Sequence, residues 1–420
     1  MRTEQQNRAN PAPTEVGSTT CVIVGGGPAG MVLGLLLARA GVDVTVLEKH
    51  ADFRRDFRGS TVHSATLRLL DELGLAERFS SLPHSVVRQM KFDRAGRSVT
   101  VADFKRLRQP HPYIALVPQW DLLNLLAEAG ESEPTFTLRM RTEVTGLLRE
   151  GDRVTGVRYE GPEGPGELSA HLTVACDGRW SRARSEAGLI PHEYQVDFDL
   201  WLFRLPNANV SGFRSAPGKA LWISSHRDYM QVAYVGPKGS DAQLRTRGVD
   251  VLRSEIVQLL PEAAASVAEL TLDDVKHLDV RVNRLRRWHT DGLLCIGDAA
   301  HAMSPVGGVG INLAVQDAVG AAIVLAKHLR RQRVSNRHLV AVRRRRVLSA
   351  AVTQAVQRIM HKRMVGPVLR GENVGGPSKM LTVFERFPFL AVVSAHFLGV
   401  GVRADHAPLY ARRSGQLRSQ

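Results

Sequence analysis

The sequence predicts an α/β protein with a doubly wound nucleotide-binding core, an inserted mixed β-sheet and a C-terminal helical region. Three observations carry this. A strand-like run, a glycine-rich turn and a helix-like run follow one another in "CVIVGGGPAGMVLGLLLARAGVDVTVLEKH", residues 21–50. The same order returns in "LLCIGDAAHAMSPVGGVGINLAVQDA", residues 293–318. Between them, about residues 190–285, the chain changes to alternating aromatic strands, and beyond about Ser335 it reads as long helices.

The first 20 residues are polar, with no apolar stretch after their charges, so residues 1–19 are expected to be disordered and not a secretory signal. "CVIV" is a short, continuous, β-branched run of the kind a buried parallel strand needs. Gly25, Gly27 and Gly30 follow with the spacing G-x-G-x-x-G, and Pro28 and Ala29 open the helix. The first glycine permits the tight turn, the second lets backbone approach a pyrophosphate, and the third lets the helix pack closely on the strand. The next strand, "DVTVLE", ends at Glu48, 23 residues after Gly25 and just before Lys49. That placement suits a ribose 2′-hydroxyl and would repel a 2′-phosphate, which leaves FAD or NAD.

The middle elements follow the same reasoning. "STVHSATLRLLDELGL" reads as a loop into a helix with Leu67, Leu70 and Leu73 on one face. "SVVRQMKFD" and "RSVTVADF" flank a turn, and "YIALVPQWDLLNLLAEAG" is a strand, a proline break and a helix ending at Gly130. "TEVTGLLREGDRVTGVRYEG" alternates as an antiparallel hairpin would. "GELSAHLTVACDG" is a further strand ending on Asp177 and Gly178, which either meet a ligand or merely cap the next turn. The expected division is 20–85, 114–190 and 286–334 as a discontinuous nucleotide domain, 86–113 and 191–285 as a substrate sheet, and 335–420 as helices.

The late glycine motif narrows the cofactor. Its strand ends at Gly297 and Asp298, and Gly307, Gly308 and Gly310 open a helix at Ile311 and Asn312. A carboxylate at a strand end suits sugar-alcohol hydroxyls, and helix-start amides suit the anionic edge of a reduced flavin. NAD has neither feature, so the pair of motifs points to FAD.

Composition bounds the class. The 420 residues are 44% hydrophobic and 23% charged, as in an ordinary globular enzyme. The net charge of +15 comes from scattered arginines, densest in "HLRRQRVSNRHLVAVRRRRVL". No zinc-finger spacing or RNA-binding aromatic motif accompanies them. They are read as a solvated face or an attraction for anionic small molecules, and nucleic acid is not an expected partner. Cys21, Cys176 and Cys295 lie in apolar runs without CxxC pairing, which suggests reduced core residues, no metal site and a cytoplasmic location. No apolar run reaches membrane-span length, and the apolar stretch from Leu381 to Tyr410 is read as helices packed against the nucleotide domain. The oligomeric state is not legible.

The three motifs, in this order and spacing from about Thr20 to Leu329, resemble the para-hydroxybenzoate hydroxylase-type single-component FAD-dependent monooxygenases (class A). The resemblance implies that Gly25, Gly27, Gly30 and Glu48 hold the ADP half of FAD. It places Arg58 beside the flavin and pyrophosphate, and Gln119 beside the ribityl chain. Asp177 and Gly178 would serve FAD and NAD(P)H together, and Asp298 the ribityl chain. Pro305 and the loop from Gly308 through Gly310 to Asn312 would border the reacting ring, with no acid or base assignable. Where many members read GGQGLN, this chain has Gly307-Gly308-Val309-Gly310-Ile311-Asn312. It also lacks the thioredoxin-like C-terminal domain of some phenol hydroxylases.

The implied activity uses NADPH or NADH and O2 to hydroxylate or epoxidise a small aromatic or polyketide-like substrate through a flavin 4a-hydroperoxide, in secondary metabolism or catabolism. The inserted sheet would cover the flavin, making Trp201, Trp222, His226, Tyr229 and Tyr234 candidate pocket residues. His301 is expected to be structural. A related flavin reductase or oxidase, and a non-enzymatic FAD-binding redox module, stay open; the halogenase motif WxWxIP is not in the sequence.

Overall fold

The computed structural model describes residues 16–54, 61–94, 97–206, 210–226, 228–372 and 378–413. The strand Val16–Val24 lies at the centre of the main sheet, parallel to Val44–Leu47 on one side and to Gly164–Ala175 on the other. Phe136–Arg139 extends the sheet beyond Val44–Leu47, and Leu293–Cys295 extends it beyond Gly164–Ala175, both in parallel. The strand runs "VTVL" and "LLC" are buried throughout, as strands covered by helices on both faces must be. The hairpin Glu143–Glu150 and Arg153–Gly161 joins antiparallel to Gly164–Ala175. Residues 16–19, expected within the unstructured leader, instead pair with Glu167–Ala170, because the partner strand runs long enough to template them. Residues 1–15 lie outside the described residues, and so does Arg58.

The inserted sheet has the order Gly212–Ala216, Lys219–Ser225, Tyr229–Pro237, Phe198–Pro206, Lys276–Leu278. Every pair in it is antiparallel, where a mixed arrangement was expected. Hairpin links as short as that from Ala216 to Lys219 allow no parallel crossover. Alternation gives this sheet two faces. Trp201, Phe203, Leu205 and Val232 pack in one core with the helix Val249–Leu259, while Phe198, Leu200, Leu202 and Val235 form another.

The helices Pro28–Arg39 and Gly310–Leu329 pack against each other over the main sheet. The second is the one helix among the described residues long and apolar enough to cross a membrane, and 67% of its most apolar 18-residue stretch is buried inside the fold. The helix Asn336–Met360 runs beside it, begins in a capping box between Ser335 and His338, and passes into a π-helical turn at His361–Val365. Phe389–Gly399 packs over the hairpin of Gln89–Arg94 and Arg97–Asp103, its Ala395 sharing a core with Ala102 and Phe104, and the same core takes in Ile114 and Leu116 of the nucleotide domain.

Candidate active site

A single cavity of about 760 Å³ runs from the first glycine turn, past the late glycine loop, to the inserted sheet. Gly25, Gly27, Pro28, Ala29, Glu48, Lys49, Gln119, Asp177, Gly178, Asp298, Pro305, Gly308, Gly310 and Ile311 all line it. Strand pairing brings the first of these together: the ends of Val16–Val24, Val44–Leu47, Gly164–Ala175 and Leu293–Cys295 stand side by side in the main sheet, while Gln119 comes from the start of the helix Gln119–Glu131.

The three glycines of the first turn differ in what they permit. Gly25 has φ +102°, and a Cβ there would stand 2.7 Å from the carbonyl oxygen of Cys176. A Cβ at Gly30 would stand 2.0 Å from the oxygen of Gly25. These two are needed by the protein itself. Gly27 has nothing within 4 Å of its would-be Cβ, so its reason lies in the open space before the helix Pro28–Arg39. First-turn amides lack intrahelical acceptors and sit at the positive end of the helix dipole. The opening therefore fits a pyrophosphate. Glu48 is buried and holds the turn, accepting from the amide of Gly26 at 2.8 Å and of His50 at 3.0 Å.

Asp177 accepts from the amide of Ala183 through Oδ2 at 3.1 Å. Its Oδ1 is buried without a hydrogen-bond partner among the described residues, and burial pushes the carboxyl above its ordinary range. An orphaned carboxylate oxygen beside a nucleotide-sized cavity is what a hydroxyl-bearing ligand would satisfy. Asp298 pairs with Arg179 at 3.6 Å and keeps about a third of its side chain accessible. Gly297, with φ +59°, hands its amide to Asp317 at 3.1 Å.

The late loop is fastened from behind. Thr61 donates to the carbonyl of Gly308 at 2.8 Å, and the His63 ring stands 3.0 Å from that carbonyl and 2.6 Å from the carbonyl of Leu398, donating to one of them when neutral. Burial pushes the His63 imidazole down. Gly308 has φ +63°, and its would-be Cβ meets Thr61 at 2.6 Å, whereas Gly310 opens onto free space at the start of its helix. The side chain of Asn312, expected at the cofactor, instead accepts from Thr66 at 2.7 Å, turned there by the helical rotation past Gly310 and Ile311. His301 is buried against Asp317, whose other oxygen accepts from Arg346 at 2.9 Å, so it serves the core. Thr61, His63 and Thr66 were missed from the sequence; the string "TVHSAT" carries no signal beyond its polar residues.

Among the five aromatic candidates only Trp222 lines the cavity. Trp201 is fully buried on the opposite face and donates to Asp241 at 2.7 Å, and Tyr234 donates to Glu255 at 2.7 Å on that same side. His226 and Tyr229 stack on each other at 4.5 Å, away from the cavity wall. The wall belongs to Phe198, Leu200, Leu202, Ala233 and Val235, joined by Phe92 at 6.2 Å from Trp222. Strand alternation was the available signal, and residue size pointed to the wrong face.

Residues 18–356 match the family model described as "FAD binding domain". The chain is 36% identical, over 85% of its length and 87% of the relative's, to 6-methylpretetramide 4-monooxygenase of Streptomyces rimosus. It is 32% identical to 12-dehydrotetracycline 5-monooxygenase/anhydrotetracycline 6-monooxygenase of Streptomyces rimosus, over 71% of this chain and 60% of that one. In fold it is similar to the anhydrotetracycline hydroxylase OxyS from Streptomyces rimosus, with a TM-score of 0.74 and 23% identity over 93% of this chain and 78% of that one.

Proposed function

This chain belongs to the FAD-binding-domain family and is an FAD-dependent, NAD(P)H-driven monooxygenase, and we propose that it hydroxylates a polycyclic aromatic substrate of the polyketide type. The observation that carries the substrate class is the continuity of the cavity. The glycine cradle opens directly into a compartment walled by the apolar side chains Trp222, Phe198, Leu200, Leu202 and Val235. The names of the relatives point the same way.

When bound, FAD supplies the oxygen-activating chemistry. The chain's own residues position and shield it. Amides at the head of Pro28–Arg39 would hold the pyrophosphate over Gly27, and Glu48, which keeps the turn rigid, would border the ribose. Asp177 and Asp298 would offer acceptors to the sugar-alcohol hydroxyls. The amides at the head of Gly310–Leu329 would stabilise negative charge on the flavin ring. The apolar wall excludes water from the reacting face. The three free cysteines support a reducing, cytoplasmic location.

The test follows oxidation of NADPH or NADH in air by the yellow holoenzyme, with and without anhydrotetracycline, using isotopically labelled O2. Faster oxidation with the substrate, and one labelled oxygen in the product, is expected. Label arriving from water, or product formed without O2, would overturn the monooxygenase reading.

A further inference from the structure

The helix Asn336–Met360, with the π-helical turn that continues it, touches both halves of the cavity. On one side Gln357, buried, donates through Nε2 to the carbonyls of Ser304 and Val306, each at 2.9 Å, and accepts from the amide of Ser304 at 3.2 Å. One turn earlier Gln354 donates to the carbonyls of Asn283 at 2.7 Å and Ala302 at 3.0 Å. One turn later the ring of His361 is 2.8 Å from the hydroxyl of Ser304. These bonds hold residues 302–306, the backbone leading into Pro305 and the late glycine loop, and Ser304 and Pro305 themselves line the cavity.

Three and seven residues beyond Gln357, Met360 and Met364 line the substrate compartment. The π-helical turn at His361–Val365 widens the helix there, and such turns are rare and frequently found at functional sites. The His361 ring meets the cavity-lining Phe198 edge-on at 4.9 Å. One rigid element thus contacts the space where substrate would sit and bonds the loop where the flavin ring would sit.

We propose that Gln357 is a positioning residue for the flavin-side loop, and that Met360 and Met364 on its helix are substrate-contacting, specificity-determining residues. The proposal rests on the reading of the cavity as a joint flavin and substrate site. Gln357 suits the role because one amide satisfies an N–H and two carbonyls at once. A filled cavity pushes on unbranched, adaptable methionines, and the displacement reaches the loop through a side chain with no slack.

The test is the visible circular dichroism of the flavin in Gln357→Glu holoenzyme, followed between about pH 5 and pH 9, beside the wild type. A buried carboxyl has a raised pKa. Below it the neutral acid mimics the amide, donating to one carbonyl. Above it the carboxylate faces the carbonyls of Ser304 and Val306 and repels them. The variant spectrum is therefore expected to match the wild type in acid and to depart from it as pH rises, while the peroxide yield per NADPH rises several-fold. A general packing defect would not titrate in this way. A Q357E spectrum identical to the wild type at every pH would overturn the proposal while leaving the monooxygenase reading intact. Failure of the wild type to bind FAD would instead sink that reading. Hydrogen exchange of the wild-type holoenzyme provides a measurement that needs no variant. Residues 302–306 and 354–365 are expected to open with one free energy, and a loop that exchanges while the helix stays protected would equally overturn the proposal.

Discussion

Gly27 and Gly30 are both glycines of one motif, yet alanine at each should fail in opposite ways. At Gly30 the added methyl would lie 2.0 Å from a backbone oxygen that cannot step aside, so Gly30→Ala must distort the turn or fail to fold. At Gly27 there is open space, and the backbone has φ −75°, which alanine adopts freely. Gly27→Ala should leave the FAD-free protein as stable as the wild type, or stabler by about 0.4–1 kcal/mol through the unfolded chain. The cost appears only with the cofactor. A methyl group where the pyrophosphate approaches lifts it off the helix-start amides, and a hydrogen bond to a charged group contributes about 1.5–3 kcal/mol. Loss of one such bond weakens FAD roughly 10- to 150-fold. Thermal melting of the FAD-free protein and titration with FAD by flavin fluorescence measure the two sides separately. Normal FAD affinity in Gly27→Ala would refute the placement of the pyrophosphate, and with it the orientation of the cofactor in the cavity.

Trp201→Ala should cost about 3–5 kcal/mol of stability, since it empties a core. Trp222→Ala should fold and raise the substrate KM about tenfold for roughly 1–2 kcal/mol of lost apolar contact; denaturant melts and steady-state kinetics distinguish them. Arg346→Met strips the buried Asp317 of its cation and should lower the denaturant midpoint by the equivalent of about 3–5 kcal/mol. Burial alone would raise the Asp317 carboxyl, but His301 and Arg346 outweigh it and hold it below the usual range. Burial lowers the His361 imidazole to about 4, so the unfolded chain takes up that proton first as the solution is acidified. Stability from this group is complete above about pH 6.5 and is lost as pH falls toward 4, by up to about 3 kcal/mol. His361→Gln should flatten that part of the melting temperature against pH, and an unchanged slope would count against it.

The nucleotide core was legible because its constraints are local. Gly25, Gly30, Glu48 and Asp177 are fixed by contacts within one βαβ neighbourhood or at a strand end, and spacing reports both. The substrate wall was legible only as a sheet. Trp201 and Tyr234 drew attention by size, but register decides which face a strand residue serves, and register depends on pairing partners distant in sequence. Asn312 was expected at the cofactor from its place beside the glycine loop, but its side-chain oxygen accepts from Thr66, a partner 246 residues away that spacing cannot report. Gln357 escaped notice for the same reason: an amide in an arginine-rich helix looks like solvated surface until the strand ends of the other domain close over it.

The two faces of the inserted sheet have an evolutionary consequence. Along Phe198–Pro206 one parity of residues lines the cavity, and the other, Trp201, Phe203 and Leu205, binds the sheet to its own helix. Tyr229–Pro237 is divided likewise, with Gln231, Ala233 and Val235 toward the cavity. The cavity-facing residues are nevertheless a core of their own, Phe198, Leu200, Leu202 and Val235 packing with Ala220, Val280 and Val368. A change in what fits the compartment is therefore also a change in packing, and lineages can exchange substrates there only through swaps that keep the packed volume.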